Sequence, residues 1–430
     1  MTPGARVAAA IEVLADIEAR KRPAADVLKE WGLSHRFAGS KDRAAIGSLV
    51  FDALRRRSSS AFIMGEDSAR AIMLGALHQA RGLSVTEIAA LCSGEGHAPA
   101  PLSEAETTHL AAPDLTDAPP SVAGDFPQWL ESAFAAVFGA TVVAETAALA
   151  LRAPLDLRVN TLKTTREKAL TSLAHLHAGR APLAPDGLRL PLTPDGRGPA
   201  LSAEPDYLKG RVEIQDEGSQ LAALCSHAQA GEQALDLCAG AGGKTLAIAA
   251  MMGNKGQIYA TDADARRLAP IYKRLERAGA RNVQVRAPRR DQDVLADLEG
   301  KCDLVMVDAP CTGTGTWRRN PDAKWRIRPG ALEQRIAEQD QALDEAARFV
   351  KSQGRLLYVT CSVLREENED RLKRFLAAHP DYRSEPPRLM AEKAGLPELD
   401  GFASPFGYGL RLTPLTSGTD GFFIALLTRE

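Results

Sequence analysis

Cysteine is scarce in this 430-residue chain, and the six that occur, at 92, 225, 238, 302, 311 and 361, form no C-x-x-C pair. That scatter excludes a disulfide framework and a cysteine-based zinc site, so any functional cysteine acts as a free thiol and no metal is expected. Long hydrophobic runs are missing too. No window approaches the ~18 consecutive apolar residues that span a bilayer, and the opening MTPGARVAAAIEVLADIEARKRP lacks the basic region and unbroken apolar core of a signal peptide. A cytoplasmic protein without a membrane partner is expected. Nor is there an excess of charge: 53 Lys and Arg meet 55 Asp and Glu, for a formal net charge of -2. This excludes the uniformly basic character of a nucleic-acid coat and leaves room for local patches. Three exist, ALRRRSSS (53–60), RRLAPIYKRLERAGARNVQVRAPRR (266–290) and WRRNPDAKWRIR (317–328), and each reads equally well as a solvated helix face.

What is present is length and apolar content, 45% hydrophobic residues, enough for two or three cored domains. Residues 6–20 place Val7, Ile11, Leu14 and Glu18 on one helical face with Ile17 beside it, and DRAAIGSLVFDALRRR repeats the pattern through Ile46, Leu49, Val50, Ala53 and Leu54. SVTEIAAL opens with a capping-box pair, Ser84 and Glu87. Residues 1–120 therefore read as a helical domain plus linker, the linker being the Pro-, Ala- and acid-rich CSGEGHAPAPLSEAETTHLAAPDLTDAPP. Residues 121–210 read as a small α+β module: helix from Phe126 to Leu151, a strand and helix in PLDLRVNTLKTTREKALTSLAHL starting near Thr164 or Thr165, then short strands and turns over 181–210. From 211 to 430 short apolar strands (ALDLC, GQIYATD, NVQVR, DLVMVDAP, GRLLYVTCS, GFFIALLT) alternate with helices, which predicts an α/β domain with a parallel, doubly wound sheet.

The turn after the first of these strands, CAGAGGKT (238–245), is not a Walker A loop, because its opening glycine is Cys238. It is not a G-x-G-x-x-G fingerprint either, since Thr245 stands where the third glycine belongs. What remains is a strand, a small-residue turn and a helix, with Asp262 ending the next strand. Such a site suits a nucleoside without phosphates, for example S-adenosylmethionine, whose ribose the acid can bind. Asp308 and Cys311 follow one later strand and Cys361 follows the next. In an open α/β sheet, ligands bind at the carboxyl ends of strands, so the three residues are expected to converge beside the turn. Carbon 5 of cytosine is a poor nucleophile until a thiolate adds at carbon 6 and an acid protonates N3, so a cysteine and a carboxylic acid together fit methyl transfer to that carbon.

DLCAGAGGKT, DAPCTGTGTWRRNPDAKW and YVTCSVLREENE, in this order and preceded by LRVNTLK and VEIQDEGSQLAA, resemble the RsmB/Sun family of RNA cytosine-5 methyltransferases from about residue 126 to the end. AGSKDRAAIGSLVFDALRRR resembles the NusB-type helical RNA-binding domain of its ribosomal RNA members. The resemblance implies a class I, Rossmann-like methyltransferase with an N-terminal all-α NusB-like domain and a small RRM-like RNA-binding module. It implies that Cys361 is the nucleophile, Cys311 promotes release, and Asp308 serves N3 of the base while lying near the cofactor. Lys244 would contact the base or Asp308. S-adenosylmethionine would be held by Cys238, Ala239, Gly240, Ala241, Gly242, Gly243, Lys244, Asp262 and Arg267. Three departures stand out: Ala241 replaces a proline common among relatives, residues 93–120 look short and irregular for a full NusB-like domain, and the adenine-facing acid is unmarked, with Asp291 the candidate and Asp293 the reserve.

Ribosomal RNA of the small subunit is the expected partner of a monomeric enzyme, with transfer RNA as the alternative. Arg318, Arg319 and Lys324 are the phosphate candidates, and the target cytosine must leave its stack to reach Cys361. DNA cytosine-5 methyltransferases are the enzymatic rival, since Pro310-Cys311 matches their Pro-Cys nucleophile, but Thr360-Cys361 argues against them. A non-catalytic RNA-binding assembly factor would lack one of Cys311, Cys361 and Asp308, and all three are present.

Overall fold

The computed structural model describes residues 1–192 and 198–430. The chain forms two compact units: Met1–Arg152 together with Trp317–Arg328, and Ala153–Leu192 with Gly198–Thr316 and Pro329–Glu430.

The first unit is helical. Its opening helix, Pro3–Arg20, starts where the Thr2 side chain accepts from the Ala5 N–H, and it buries Val7, Val13, Leu14 and Ile17. The buried stripe is rotated from the expected one, leaving Ile11 and Glu18 half-buried. Helices Ser40–Arg55 and Ala69–Arg81 complete its main packing. The Ser84/Glu87 capping box is formed. A second one, Ser103/Glu106, opens helix Glu104–Ala111 inside the stretch expected to be irregular. The single helix expected over 126–151 is instead broken at Gly139 (φ 52°) into Glu131–Phe138 and Val142–Leu149. Gln128–Leu149 has the length and mean hydropathy (1.6) of a membrane-crossing helix. A third of it is buried, with Phe134 packed edge-on against Phe126 and Trp317, while Ala135, Ala136 and Val143 are exposed.

Trp317 belongs to the segment Trp317–Arg328, the basic stretch expected to grip phosphates, and the structure gives this segment another role. Asp322 accepts from the Ala24 N–H (3.1 Å), and the Trp325 indole donates to Leu54 O (2.6 Å). Lys324 is 1% exposed and donates to the carbonyls of Arg55 (3.0 Å) and Asp125 (2.6 Å). A buried ammonium must find acceptors, and these carbonyls take it away from solvent. Burial also pushes the Lys324 amine down to about 7. Arg318 is buried too, with its carbonyl accepting from Arg55 (2.6 Å), while Arg319 is half-buried. Lys324 and Arg318 are thus corrected from phosphate contacts to structural residues.

The second unit holds two sheets. The smaller contains β1 (Leu155–Val159), β2 (Gly179–Arg180), β3 (Gly187–Leu190) and β4 (Val212–Ile214) in the antiparallel order β2-β3-β1-β4. Thr165 caps its helix Arg166–Ser172, and Leu157, Val159, Leu173, Leu188 and Val212 fill its core. The larger sheet contains β5 (Gln233–Asp236), β6 (Gln257–Ala260), β7 (Val283–Val285), β8 (Cys302–Asp308), β9 (Val350–Thr360), β10 (Tyr382–Ser384), β11 (Leu410–Leu412) and β12 (Phe422–Arg429). Its order is β10-β12-β9-β8-β5-β6-β7, with β11 paired to β12.

Five strands, β5 to β9, are parallel, whereas β12 runs antiparallel to β9. The expectation of a wholly parallel sheet fails at this strand because β11 and β12 form an antiparallel pair, so the last strand enters from the opposite end. No α-helix follows β7 either; Arg289 and Gln292 form a bridge just past Pro288, and a single 3-10 turn, Ala296–Leu298, leads to β8. Along β8, Leu304 and Met306 face one core while Val305 and Val307 face the other, the two-sided burial of a central parallel strand. The connections from β5 run outward to β6 and β7, and those from β8 run the other way to β9. The crevice opens between β5 and β8, at their carboxyl ends.

Candidate active site

Three turns meet at that crevice, after β5, β8 and β9. The first leaves β5 at residues 237–242 and enters helix Gly243–Met251. Gly240 (φ 50°) and Gly242 (φ 83°) adopt left-handed conformations, and a Cβ on Gly242 would lie 2.5 Å from Ile271 Cγ1, so this path admits only glycine there. Backbone bonds from Ala239 N to Thr261 O (2.8 Å) and from Gly242 N to Ala239 O (2.8 Å) fix the loop. Asp262, buried just past β6, accepts from Gly240 N (2.9 Å) and Asp264 N (2.9 Å) and lies 3.8 Å from Arg267. At the root of the turn, Thr245 donates to Asp236 (2.6 Å); burial pushes that carboxyl up to about 7, and its other oxygen has no protein partner. Burial likewise raises the Cys238 thiol well above its ordinary value.

Alongside lies a cleft of ≈ 650 Å³, walled by Leu237, Pro288, Val294, Leu295 and Ala342, with Asp262 on its lining. A cleft of that size, with apolar walls, a rim of charged side chains and a buried acid on its lining, has the dimensions and donor–acceptor set for a nucleoside cofactor. Cys238, Asp262 and Arg267 all line it, whereas Ala239 to Lys244 form the turn beside it. Of the two candidate adenine-facing acids, Asp293 lines the cleft and pairs with Arg348 (3.0 Å). Asp291 is exposed in a left-handed conformation (φ 60°) and is not part of the lining.

Two further turns leave the carboxyl ends of β8 and β9, the first carrying Cys311 and the second Cys361. Lys244, 8% exposed, donates to Asp308 Oδ2 at 2.8 Å. Burial alone would lower the Lys244 ammonium, but the Asp308 carboxylate outweighs it and holds the ammonium above its usual value. Cys311 and Cys361 face each other with their sulfurs 3.3 Å apart. The hydrogen bond to Cys361, reinforced by burial, keeps the Cys311 thiol well above the ordinary thiol range. The Lys244–Asp308 pair and the two thiols thus lie together at the ends of β8 and β9.

Sequence reasoning did not single out the scaffold beneath them. Glu367, fully buried, accepts from Thr312 N (2.8 Å), Thr312 Oγ1 (2.5 Å) and Gln339 Nε2 (3.0 Å), and Gln339 also donates to Pro310 O (2.9 Å). Burial raises the Glu367 carboxyl above its normal value. On the other side, Gly315 N donates to Cys361 O (2.9 Å), Thr314 Oγ1 meets Ser362 Oγ (3.0 Å), and Thr360 donates to Asn368 Oδ1 (2.5 Å). Each cysteine-bearing turn is therefore held by residues of the other. Glu367 and Asn368 lie in LREENE, which begins three residues past Cys361; their burial is not marked in this polar run. No group of three or more His, Cys, Asp or Glu suited to a metal ion occurs among the described residues.

Residues 223–428 match the model of the 16S rRNA methyltransferase RsmB/F family, and residues 126–194 match that of the ferredoxin-like domain of RsmF/B-like methyltransferases. A probable ribosomal RNA small subunit methyltransferase B from a Synechocystis strain is 34% identical over 307 residues, covering 71% of this chain and 67% of that protein. The chain thus spans about two thirds of the length of such relatives. Among solved structures, PH0851 superposes with a TM-score of 0.71 over 99% of both chains at 24% identity, a likeness of fold. A methyltransferase homologue protein from Pyrococcus horikoshii gives 0.57 at 26% identity, covering 74% of this chain and 100% of that one. With two family models matched in sequence order and a relative 34% identical over 71% of the chain, this chain belongs to the RsmB/F family of S-adenosylmethionine-dependent 16S rRNA methyltransferases.

Proposed function

We propose that the protein methylates carbon 5 of a cytosine in 16S ribosomal RNA through a covalent adduct on Cys361. The observation that carries this reading is the pair of thiols 3.3 Å apart next to the Lys244–Asp308 ion pair, at the carboxyl ends of adjacent strands. The cofactor turn from Cys238 to Lys244, with Asp262 and Arg267, would hold S-adenosylmethionine, which supplies an electrophilic methyl group when bound.

The chain's own residues prepare the acceptor. Cys361 loses its proton and its sulfur bonds to carbon 6, while N3 takes up a proton within reach of Asp308, so that carbon 5 becomes enamine-like. Lys244 occupies Asp308 Oδ2, which leaves Oδ1 for N3 and fixes the carboxyl plane. After carbon 5 has been methylated it loses its proton, the bond from sulfur to carbon 6 breaks, and N3 gives up its proton, which restores the aromatic ring. Cys361 departs as a thiolate, a charge that needs a donor. Cys311, kept protonated by its surroundings, is that donor at 3.3 Å. A flipped-out base is required throughout, which favours an unpaired or flexible cytosine.

The test compares methyl transfer and denaturation-resistant protein–RNA adducts for the wild type, Cys361→Ala and Cys311→Ala, with 16S rRNA and transfer RNA offered separately. Inactivity without adduct in Cys361→Ala, and accumulated adduct on 16S rRNA in Cys311→Ala, is the expected result. Adduct loss in Cys311→Ala with retention in Cys361→Ala would establish the Pro-Cys mechanism instead, and transfer to transfer RNA alone would overturn the substrate.

A further inference from the structure

Ala241 sits exposed between two left-handed glycines, the point at which the cofactor turn has least side-chain anchorage. Its carbonyl is nevertheless held: Arg274 Nη1 donates to Ala241 O at 2.8 Å. The same guanidinium reaches Glu213 Oε2 at 3.1 Å through Nη2. Glu213 is only 1% exposed and lies on β4, and it is fixed in turn by Arg277 at 2.6 and 2.7 Å. A buried carboxylate with two guanidinium partners is a rigid anchor, and Arg274 carries that rigidity from the small sheet to one backbone oxygen of the turn. No other described residue bonds Ala241 O, and a lysine has no fork to bridge both acceptors.

We infer that Arg274 is a positioning residue for the cofactor, holding the 238–244 turn in its binding shape through Ala241 O. The residue touches neither thiol nor Asp308, and the oxygen it holds lies three residues before Lys244, so its effect falls first on cofactor affinity. The backbone at 241 offers an independent way to restore the same order. Ala241 has negative φ, being absent from the positive-φ residues, and its N–H makes no backbone hydrogen bond. A proline there costs no backbone hydrogen bond, and its ring would stiffen the turn without Arg274.

The experiment measures S-adenosylhomocysteine binding by calorimetry, and kcat at saturating S-adenosylmethionine, for the wild type, Arg274→Ala, Glu213→Gln and the double variant Arg274→Ala/Ala241→Pro. Loss of one charge-assisted hydrogen bond predicts a Kd raised about tenfold in Arg274→Ala, with kcat within about twofold of wild type. A smaller rise is expected in Glu213→Gln, and the double variant should recover most of the loss. Unchanged affinity in a folded Arg274→Ala, or a fall in kcat at unaltered affinity, would overturn the inference. If Arg274→Ala does not fold, wild-type affinity in Glu213→Gln overturns it equally. The inference rests on the turn being the cofactor site; absence of binding by the wild type would sink that reading, whereas normal wild-type binding isolates the role of Arg274.

Discussion

Replacing Lys324 with Met separates two opposed roles for the basic segment Trp317–Arg328. The ammonium lies among the carbonyls of Arg55 and Asp125, and burial, aided by repulsion from Arg55 and Arg56 and opposed by Asp125, brings its value from the usual 10.5 to about 7. The folded-state value is below the unfolded one, so between about 7 and 10.5 the unfolded chain binds a proton that the folded chain does not. Stability must therefore grow as pH rises through that window and be smallest below it. At about 1.4 kcal/mol per pH unit, the gain from pH 7 to pH 9 is at most ~2.7 kcal/mol. Lys324→Met should remove this contribution and flatten the pH dependence of urea unfolding by up to that amount. Its RNA affinity should keep the wild-type salt dependence. A variant with unaltered pH dependence but a salt slope reduced by about 1 would show Lys324 to be a phosphate contact and refute the buried assignment.

Two further outcomes probe the turns. Gly242→Ala places a Cβ 2.5 Å from Ile271 Cγ1 at φ 83°, a strain of roughly 1–3 kcal/mol, and should weaken S-adenosylhomocysteine binding at least about tenfold by calorimetry; wild-type affinity would mean the turn relaxes freely. Glu367→Gln sets an amide donor among the donors from Thr312 and Gln339, a loss of about 1.5–3 kcal/mol, and should cut single-turnover methyl transfer roughly 10- to 100-fold while cofactor affinity stays constant. Equal losses in both quantities would show that Glu367 supports the whole domain.

The legible parts of this chain are those whose causes are local. β8 and β9 read as unbroken apolar runs because both their faces are covered, and the glycines of the 238–244 turn announce backbone conformations that other residues avoid. The meeting of Asp308, Cys311 and Cys361 was legible because each follows an apolar strand of one parallel sheet, and the carboxyl ends of such strands lie side by side. Strand direction leaves no trace in a hydrophobic pattern, which is why β12 read as parallel. The Ser103–Glu106 box has the same spacing as Ser84–Glu87, yet the prolines around it masked the helix it starts. Lys324 read as a surface cation because its acceptors lie 269 and 199 residues away. No short window of sequence holds both ends of such a contact, and the 28 residues between Gln339 and Glu367 hid that hold as well.

The placement of Trp317–Arg328 within the N-terminal helical unit bears on how the protein is made. At synthesis rates of roughly 5–20 residues per second, Lys324 emerges some 15–50 s after Arg55, whose carbonyl it caps. The helices emerge early but lack Trp317 for Phe134 and the Asp322 carboxylate for the first turn of Ala24–Ser34 until four of the eight strands of the larger sheet have been synthesised. Translation therefore delivers this protein with its oldest part unfinished, and the first unit closes only when the loop beyond Cys311 has left the ribosome.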